Sequence, residues 1–237
     1  DVWMQGFVKG LAEDQERFDV FLMGGDTVRI PDTAAQVLSL TAIGIMDGDY
    51  MPLSRMGAEV DDLICVTGTI GDAHFGFQQL SQNQDDVSSL TDRLLLPEPR
   101  LNEGQMIRRF ASACADVSDG LLVDLSHILK NADDQKGLGA DIQLSDIPIS
   151  QAVSDIQTAT RLCDKDLFQA LLNGGEDYEL VFTVSSPNYK KMMDIYPQFG
   201  DTHTVIGRVT KKRAIQCLDQ NGNDVPIEIK GWNHFNE

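Results

Sequence analysis

The sequence predicts an α+β protein with helices layered on sheet. Three observations carry this: short apolar strand patterns alternate with helical stripes, no segment repeats with a period of 20–50 residues, and hydrophobic residues at 42% with charged residues at 24% are ordinary globular values. With 237 residues the chain has material for two modest lobes.

The elements follow in order. Val2, Met4, Phe7, Val8 and Leu11 fall at three- and four-residue steps, which predicts an amphipathic helix over 2–17. DVFLM, 19–23, reads as a buried strand ending at the turn Gly24–Gly25–Asp26, and the β-branched run 33–46 reads as a long strand antiparallel to it. The turn-rich MDGDYMPLSRMG, 46–57, marks the domain boundary, giving 1–52 as one part and 53–237 as the other. Beyond it DDLICVTG is a strand, and TGTIGDAHFGFQQL is a glycine-rich loop opening a helix. Pro97 and Pro99 break the chain before GQMIRRFA resumes a helical pattern. Leu121, Leu122, Leu125, Ile128 and Leu129 make the stripe of a core-facing helix. ELVFTV, TVIGRV and AIQCL are further strands, and SPNYKKMMDIY is a capped helix between the first two.

Charge narrows the function. With 37 acidic against 19 basic residues the formal net charge is −18, a field that repels nucleic acid and anionic lipid. A polyphosphate ligand would need divalent cations held by carboxylates. No apolar run is long enough to cross a bilayer. Cys65, Cys114, Cys163 and Cys217 are scattered without metal spacing and read as reduced thiols of a cytoplasmic protein. The chain begins at Asp1 with neither initiator Met nor signal pattern, which reads as a fragment or a processed chain.

Three acidic turns carry the chemistry. Gly25 and Asp26, then Asp116, Ser118 and Asp119 in DVSDGLL, then Glu176 and Asp177 behind Gly174–Gly175 each set carboxylates on a tight tip. Glycine lets the backbone enter positive φ and lets a ligand approach closely. Hard carboxylate oxygens suit magnesium, with phosphate oxygens completing its shell. The helix start at Asp119–Gly120 offers free N–H groups to an anion and Ser118 a hydroxyl. Asp119 reads equally as an N-cap, and Asn173–Gly174–Gly175 as a helix C-cap. The pair Glu176–Asp177, entering a buried strand, gains nothing from burial without a cation or polar ligand. Arg55 is a phosphate clamp or a surface charge, Trp232 core filling or a stacking plate, and no His is assigned a catalytic role.

Together GGDT at 24–27, SRMGAEVDD at 54–62, VTGTIGDA at 66–73, DVSDGLLVDL at 116–125, GGEDYEL at 174–180 and the KGWNHF tail resemble the thiamine-monophosphate kinase family, of the aminoimidazole ribonucleotide synthetase and selenophosphate synthetase superfamily. The resemblance implies that fold for the C-terminal domain, with residual strands and a helix of an ATP-binding, dimerising N-terminal domain. It implies Mg2+-dependent transfer of the ATP γ-phosphoryl group to thiamine monophosphate. Carried over by position, Asp26, Asp116 and Asp119 match catalytic magnesium ligands, Gly25, Asp26, Arg55 and Ser118 nucleotide contacts, and Glu176 and Trp232 substrate contacts. It implies a homodimer when full length, and a further N-terminal region ahead of the match to Asp1, without which the chain is expected to be inactive or impaired. The alternatives are another ATP-dependent member of the superfamily and a non-catalytic metal- or nucleotide-binding module.

Overall fold

The structure is a computed structural model that describes residues 2–31, 35–46, 48, 51–82, 88–130 and 137–230. It divides into two units, Asp1–Ile45 and Met46–Glu237.

In the first unit, helix α1 spans Val2–Phe18, where the three- and four-residue spacing predicts it, and buries none of its residues. Trp3 stacks on Phe7 at 5.4 Å, and the Arg17 guanidinium lies 5.0 Å from the Phe18 ring centre. The helix stops at Asp19, whose φ of 52° leaves the helical region. Past it, Gln15 holds the returning chain, its carbonyl accepting from Val20 N at 3.2 Å and its side-chain Oε1 from Leu22 N at 2.6 Å.

The two strands expected at 19–23 and 33–46 are not formed among the described residues, which carry no regular structure there. Phe21, Met23, Val37, Leu40 and Ile45 are all exposed. A strand pattern specifies a pleated surface, but only a paired neighbour and a covered face stabilise it, and two strands alone are marginal in water.

The second unit is built on one six-stranded sheet. Its strands are β1 Leu63–Thr67, β2 Ala111–Asp116, β3 Gly139–Gln143, β4 Leu180–Val184, β5 His203–Thr210 and β6 Ile215–Leu218. Their order is β2-β4-β1-β5-β3-β6, all neighbours antiparallel except the parallel pair β3 and β6. Among the described residues seven α-helices accompany it: α2 Asp72–Gln82, α3 Ser89–Leu95, α4 Leu101–Ile107, α5 Leu121–Leu129, α6 Gln151–Thr160, α7 Asp164–Asn173 and α8 Ser186–Ile195.

Both sheet faces are covered, as the continuous apolar runs require. Ile64 and Val66 of β1, Ala113 and Ala115 of β2 and Val181 of β4 join Leu121, Leu122, Leu125 and Ile128 of α5 in one core. Residues of opposite parity, Cys65, Cys114, Phe182 and Val184, pack on the other face against Ile107 of α4, Met192 of α8 and Phe199. A third cluster, Phe75, Leu90, Val153, Leu167 and Leu171, ties α2, α3, α6 and α7 together. Cys65, Cys114 and Cys217 are buried thiols, whereas Cys163 is exposed. Burial, with the Asp224 charge adding to it, pushes the Cys217 thiol up to about 11, so it stays protonated.

The sequence does not predict helices α3 and α6 or strand β3: α3 has only seven residues, α6 is mostly polar with Val153 its one buried residue, and GADIQ holds a single β-branched residue. The helix expected from GQMIRRFA starts earlier, at Leu101, and yields to β2 at Ala111. Among the described residues no helix is long and apolar enough to cross a membrane.

Candidate active site

The site grows from the end of the β2–β4 ladder. Asp116 pairs with Leu180 as the last rung, and the two chains continue side by side beyond it. Val117 N donates to Glu179 O at 2.8 Å, Tyr178 N to Val117 O at 2.9 Å and Glu176 N to Ser118 O at 2.9 Å. DVSD and GEDYE, far apart in sequence, are thereby zipped into one two-stranded lip.

Glycines permit the closeness. A Cβ on Gly175 would stand 2.3 Å from Ser118 O, one on Gly174 2.6 Å from the His74 Cβ, and one on Gly120 3.0 Å from the Asn173 backbone. Positive φ falls elsewhere than expected: Gly174, Gly175, Gly24 and Gly25 do not have it, while Glu176 (70°) and Tyr178 (50°) do. Gly174 does cap α7, through its N–H on Ala170 O, but with φ −68°. An L-residue in the left-handed region costs on the order of 1 kcal/mol, so the lip stores strain on either side of Asp177.

Behind the lip, three buried carboxylates hold it in place. Asp124 Oδ2 accepts from the backbone N–H groups of Ser118 (3.0 Å), Asp119 (3.0 Å) and Gly120 (3.2 Å). This corrects the expectation that those N–H groups are free for an anion: the helix's own Asp124 folds back over them. Asp119 is not the N-cap either, since α5 begins at Leu121 with Gly120 before it. Burial, joined by the Asp119 and Asp116 charges, raises the Asp124 carboxyl against the pull of its N–H donors.

Asp177 accepts from Gly71 N at 2.7 Å and Ala73 N at 3.1 Å, and so caps the start of α2. Its burial is met by backbone donors, without the cation or ligand expected for it. Burial lifts its carboxyl to about 7, with the α2 N–H groups and Arg93 opposing and Asp72 assisting. Glu179, fully buried, accepts from Thr67 Oγ1 at 2.6 Å, Arg93 Nη2 at 2.7 Å and Arg100 Nε at 2.6 Å. Arg93 also reaches Asp177 O at 3.3 Å, joining this pair to the lip.

What remains open to solvent is the face with the candidate ligands. Ser54 O accepts from Cys114 N at 2.8 Å, laying residues 54–56 along the free edge of β2. Arg55 Nη2 then stands 3.4 Å from Asp116 Oδ1, with both side chains about half exposed (54% and 47%). Asp119 is half-buried and Glu176 exposed. Tyr178 Oη donates to Glu176 Oε2 at 3.2 Å. Burial raises the Tyr178 phenol, and Glu176, Asp116 and Asp119 raise it further, so the three acids share one field.

Beside them opens a cavity of about 330 Å3, lined by Ala73, His74, Phe77 and Leu94 on its apolar side and by Ser118, Gly175 and Glu176 on its polar side. Burial lowers His74, keeping its ring neutral, and its Nε2 meets the Gln78 amide at 2.9 Å.

Arg55, Asp116, Ser118, Asp119 and Glu176 thus belong to one region of the second unit. Gly25 and Asp26 lie in the first, where Asp26 is exposed and its Oδ1 accepts from Thr27 N at 2.8 Å. Trp232 lies outside the described residues. Among the described residues, no group of three or more His, Cys, Asp or Glu side chains is gathered as a metal site. The donor chemistry of Asp116 and Asp119 still suits a hard cation that takes one or two carboxylates and fills its shell with phosphate oxygens.

No family model matches the chain. The chain is 35% identical over 244 residues to the thiamine-monophosphate kinase of Escherichia coli K12, covering 99% of this chain and 70% of that protein. It is likewise 35% identical over 239 residues to that of Buchnera aphidicola from Schizaphis graminum, with the same coverages. The chain belongs to the thiamine-monophosphate kinase family. It is therefore a member of a family of ATP-dependent phosphotransferases.

Solved structures agree. AaThiL complexed with AMPPCP and TMP aligns with a TM-score of 0.62 at 28% identity, over 77% of this chain and 54% of that one. Thiamine-monophosphate kinase from Stenotrophomonas maltophilia K279a gives 0.59 at 33%, over 73% and 54%. Escherichia coli HypE, a hydrogenase maturation protein, shares the fold alone, at 0.56 and 18% identity. The α+β architecture is that of the aminoimidazole ribonucleotide synthetase-like group. The chain spans about half the length of these solved structures, 54% in the first two.

Proposed function

We propose that the chain carries the acceptor side and part of the metal site of a kinase that moves the ATP γ-phosphoryl group to thiamine monophosphate, giving thiamine diphosphate and ADP. The observation that supports this best is the lip, in which the backbone bond from Glu176 N to Ser118 O holds together the polar lining of the cavity, Gly175, Glu176 and Ser118, the last on the same loop that carries Asp116 and Asp119. AaThiL, with a nucleotide analogue and TMP bound, is the relative that lends the substrates.

In this reading Asp116 and Asp119 would hold Mg2+, and Arg55 and Ser118 would meet the nucleotide; Gly25 and Asp26, in the first unit, are carried as nucleotide and metal contacts from the family resemblance alone. Glu176 and Trp232 meet the acceptor, whose ring lies against the Phe77 and Leu94 wall. Bound magnesium supplies charge neutralisation to the triphosphate. The attacking atom is already an anionic phosphate oxygen, so the residues need only align it and no catalytic base is required. That agrees with a cavity whose one histidine among its lining residues, His74, is held toward the neutral form by burial and meets the Gln78 amide. In this reading the protein acts as a cytoplasmic homodimer without nucleic acid or membrane partners.

The test is a phosphoryl-transfer assay on the protein extended by its relatives' N-terminal region, with and without Asp116→Asn. The variant is expected to lose on the order of 100-fold in kcat. Unchanged kinetics would remove Asp116 from the site.

A further inference from the structure

The last described segment of the chain docks on α7 in a way that the acidic motifs do not explain. Val225 and Ile227 pack against the main core, and Val225 N donates to Cys217 O at 2.7 Å. Beyond them the backbone is taken up by two side-chain amides. Gln169 Nε2 donates to Glu228 O at 2.9 Å while Gln169 Oε1 accepts from Glu228 N at 3.0 Å, so one side chain imitates a rung of sheet. One turn later Asn173 Oδ1 accepts from Lys230 N at 2.6 Å, and Asn173 Nδ2 donates back to Gln169 O at 3.0 Å.

The fit is metric. Four residues of helix rise about 6 Å, and two residues of extended chain about 6.6 Å. Gln169 and Asn173 therefore match alternate residues of an extended strand, 228 and 230. The two amides satisfy four backbone groups, Glu228 N, Glu228 O, Lys230 N and Gln169 O, and such pairing by itself implies no role in the site.

Their position gives them one. Asn173 is the last residue of α7, and Gly175 and Glu176, two and three residues further on, line the cavity. The backbone of Asn173 also lies under Gly120 of the other acidic loop. The docked segment thus leaves α7 where both loops meet the cavity.

We infer that Gln169 and Asn173 are positioning residues for acceptor binding: by gripping the backbone of Glu228 and Lys230 they fix the C-terminal segment and the end of α7 at the cavity rim. The inference rests on the reading that thiamine monophosphate is the acceptor. Neither residue touches the acceptor; both act through the segment they hold.

The experiment uses the 237-residue chain as wild type, Gln169→Ala, Asn173→Ala and Asn173→Asp. Amide hydrogen exchange at residues 228 and 230, calorimetric Kd for thiamine monophosphate and the thermal midpoint are read on each. Both alanine variants are expected to expose the two amides and to raise the Kd about tenfold, with little change in midpoint. Asn173→Asp keeps the acceptor for Lys230 N and is expected to restore most of the affinity. Alanine variants that bind as tightly as wild type, or an Asp variant as weak as the Ala variant, overturn the inference. A wild-type chain that binds no thiamine monophosphate overturns the functional reading and, with it, this one.

Discussion

Asp177 lies between two residues forced into the left-handed region and is itself sealed from water, so its titration is coupled to folding. Its folded carboxyl is raised from 3.8 to about 7, with burial as the leading cause. A raised acid stabilises the fold fully below its unfolded pKa, and that contribution is lost as pH climbs through the folded value. The stability of wild type relative to Asp177→Asn, measured by urea unfolding, is therefore expected to fall between about pH 4 and pH 7. A flat difference across that window would mean that the α2 N–H groups dominate and the acid is ionised throughout. Of the acidic residues, the sequence disclosed that 116, 119 and 176 stand on turns. It did not disclose that Asp124, Asp177 and Glu179 hold those turns from behind. Asp124 had a local signal, four residues after Gly120 at a helix start. Arg93 and Arg100 had none, since their partner Glu179 is 86 and 79 residues away.

At the level of elements, the lip joins a strand end to a strand start, and strain is concentrated in its GEDYE half. Glu176→Gly removes the side chain that resists φ 70°. It is expected to stabilise the fold by about 1 kcal/mol while weakening acceptor binding, because glycine enters that region without penalty. A destabilised variant in chemical denaturation would show that the Glu176 side chain contributes packing that offsets its backbone strain. β1, β4, β5, β6, α1, α5 and α8 were legible because each repeats its period over enough residues, or is bracketed by Gly, Pro or Ser. The expected strands at 19–23 and 33–46 show the limit of the same reasoning. Alternation and β-branching describe a surface awaiting a partner, and Phe21, Leu40 and Ile45 remain open to solvent in the absence of one.

Across the whole molecule, every buried apolar side chain among the described residues belongs to the second unit, from Ala58 onward. A chain reduced to residues 46–237 is accordingly expected to unfold cooperatively within a few degrees of the 237-residue chain in calorimetry. Loss of the transition would show that residues 1–45 supply stability that their exposure hides. The net charge of −18 bears on function more than on fold. A molecule with that field gathers two phosphorylated anions only if cations bridge its acids to their oxygens. The most direct measurement follows ATP labelled in the γ-phosphate, with thiamine monophosphate, in protein extended by the N-terminal region, as Mg2+ is titrated against chelator. Label is expected in thiamine diphosphate, rising from background with the metal. Label released only as inorganic phosphate, or transfer undiminished in excess chelator, would contradict the account.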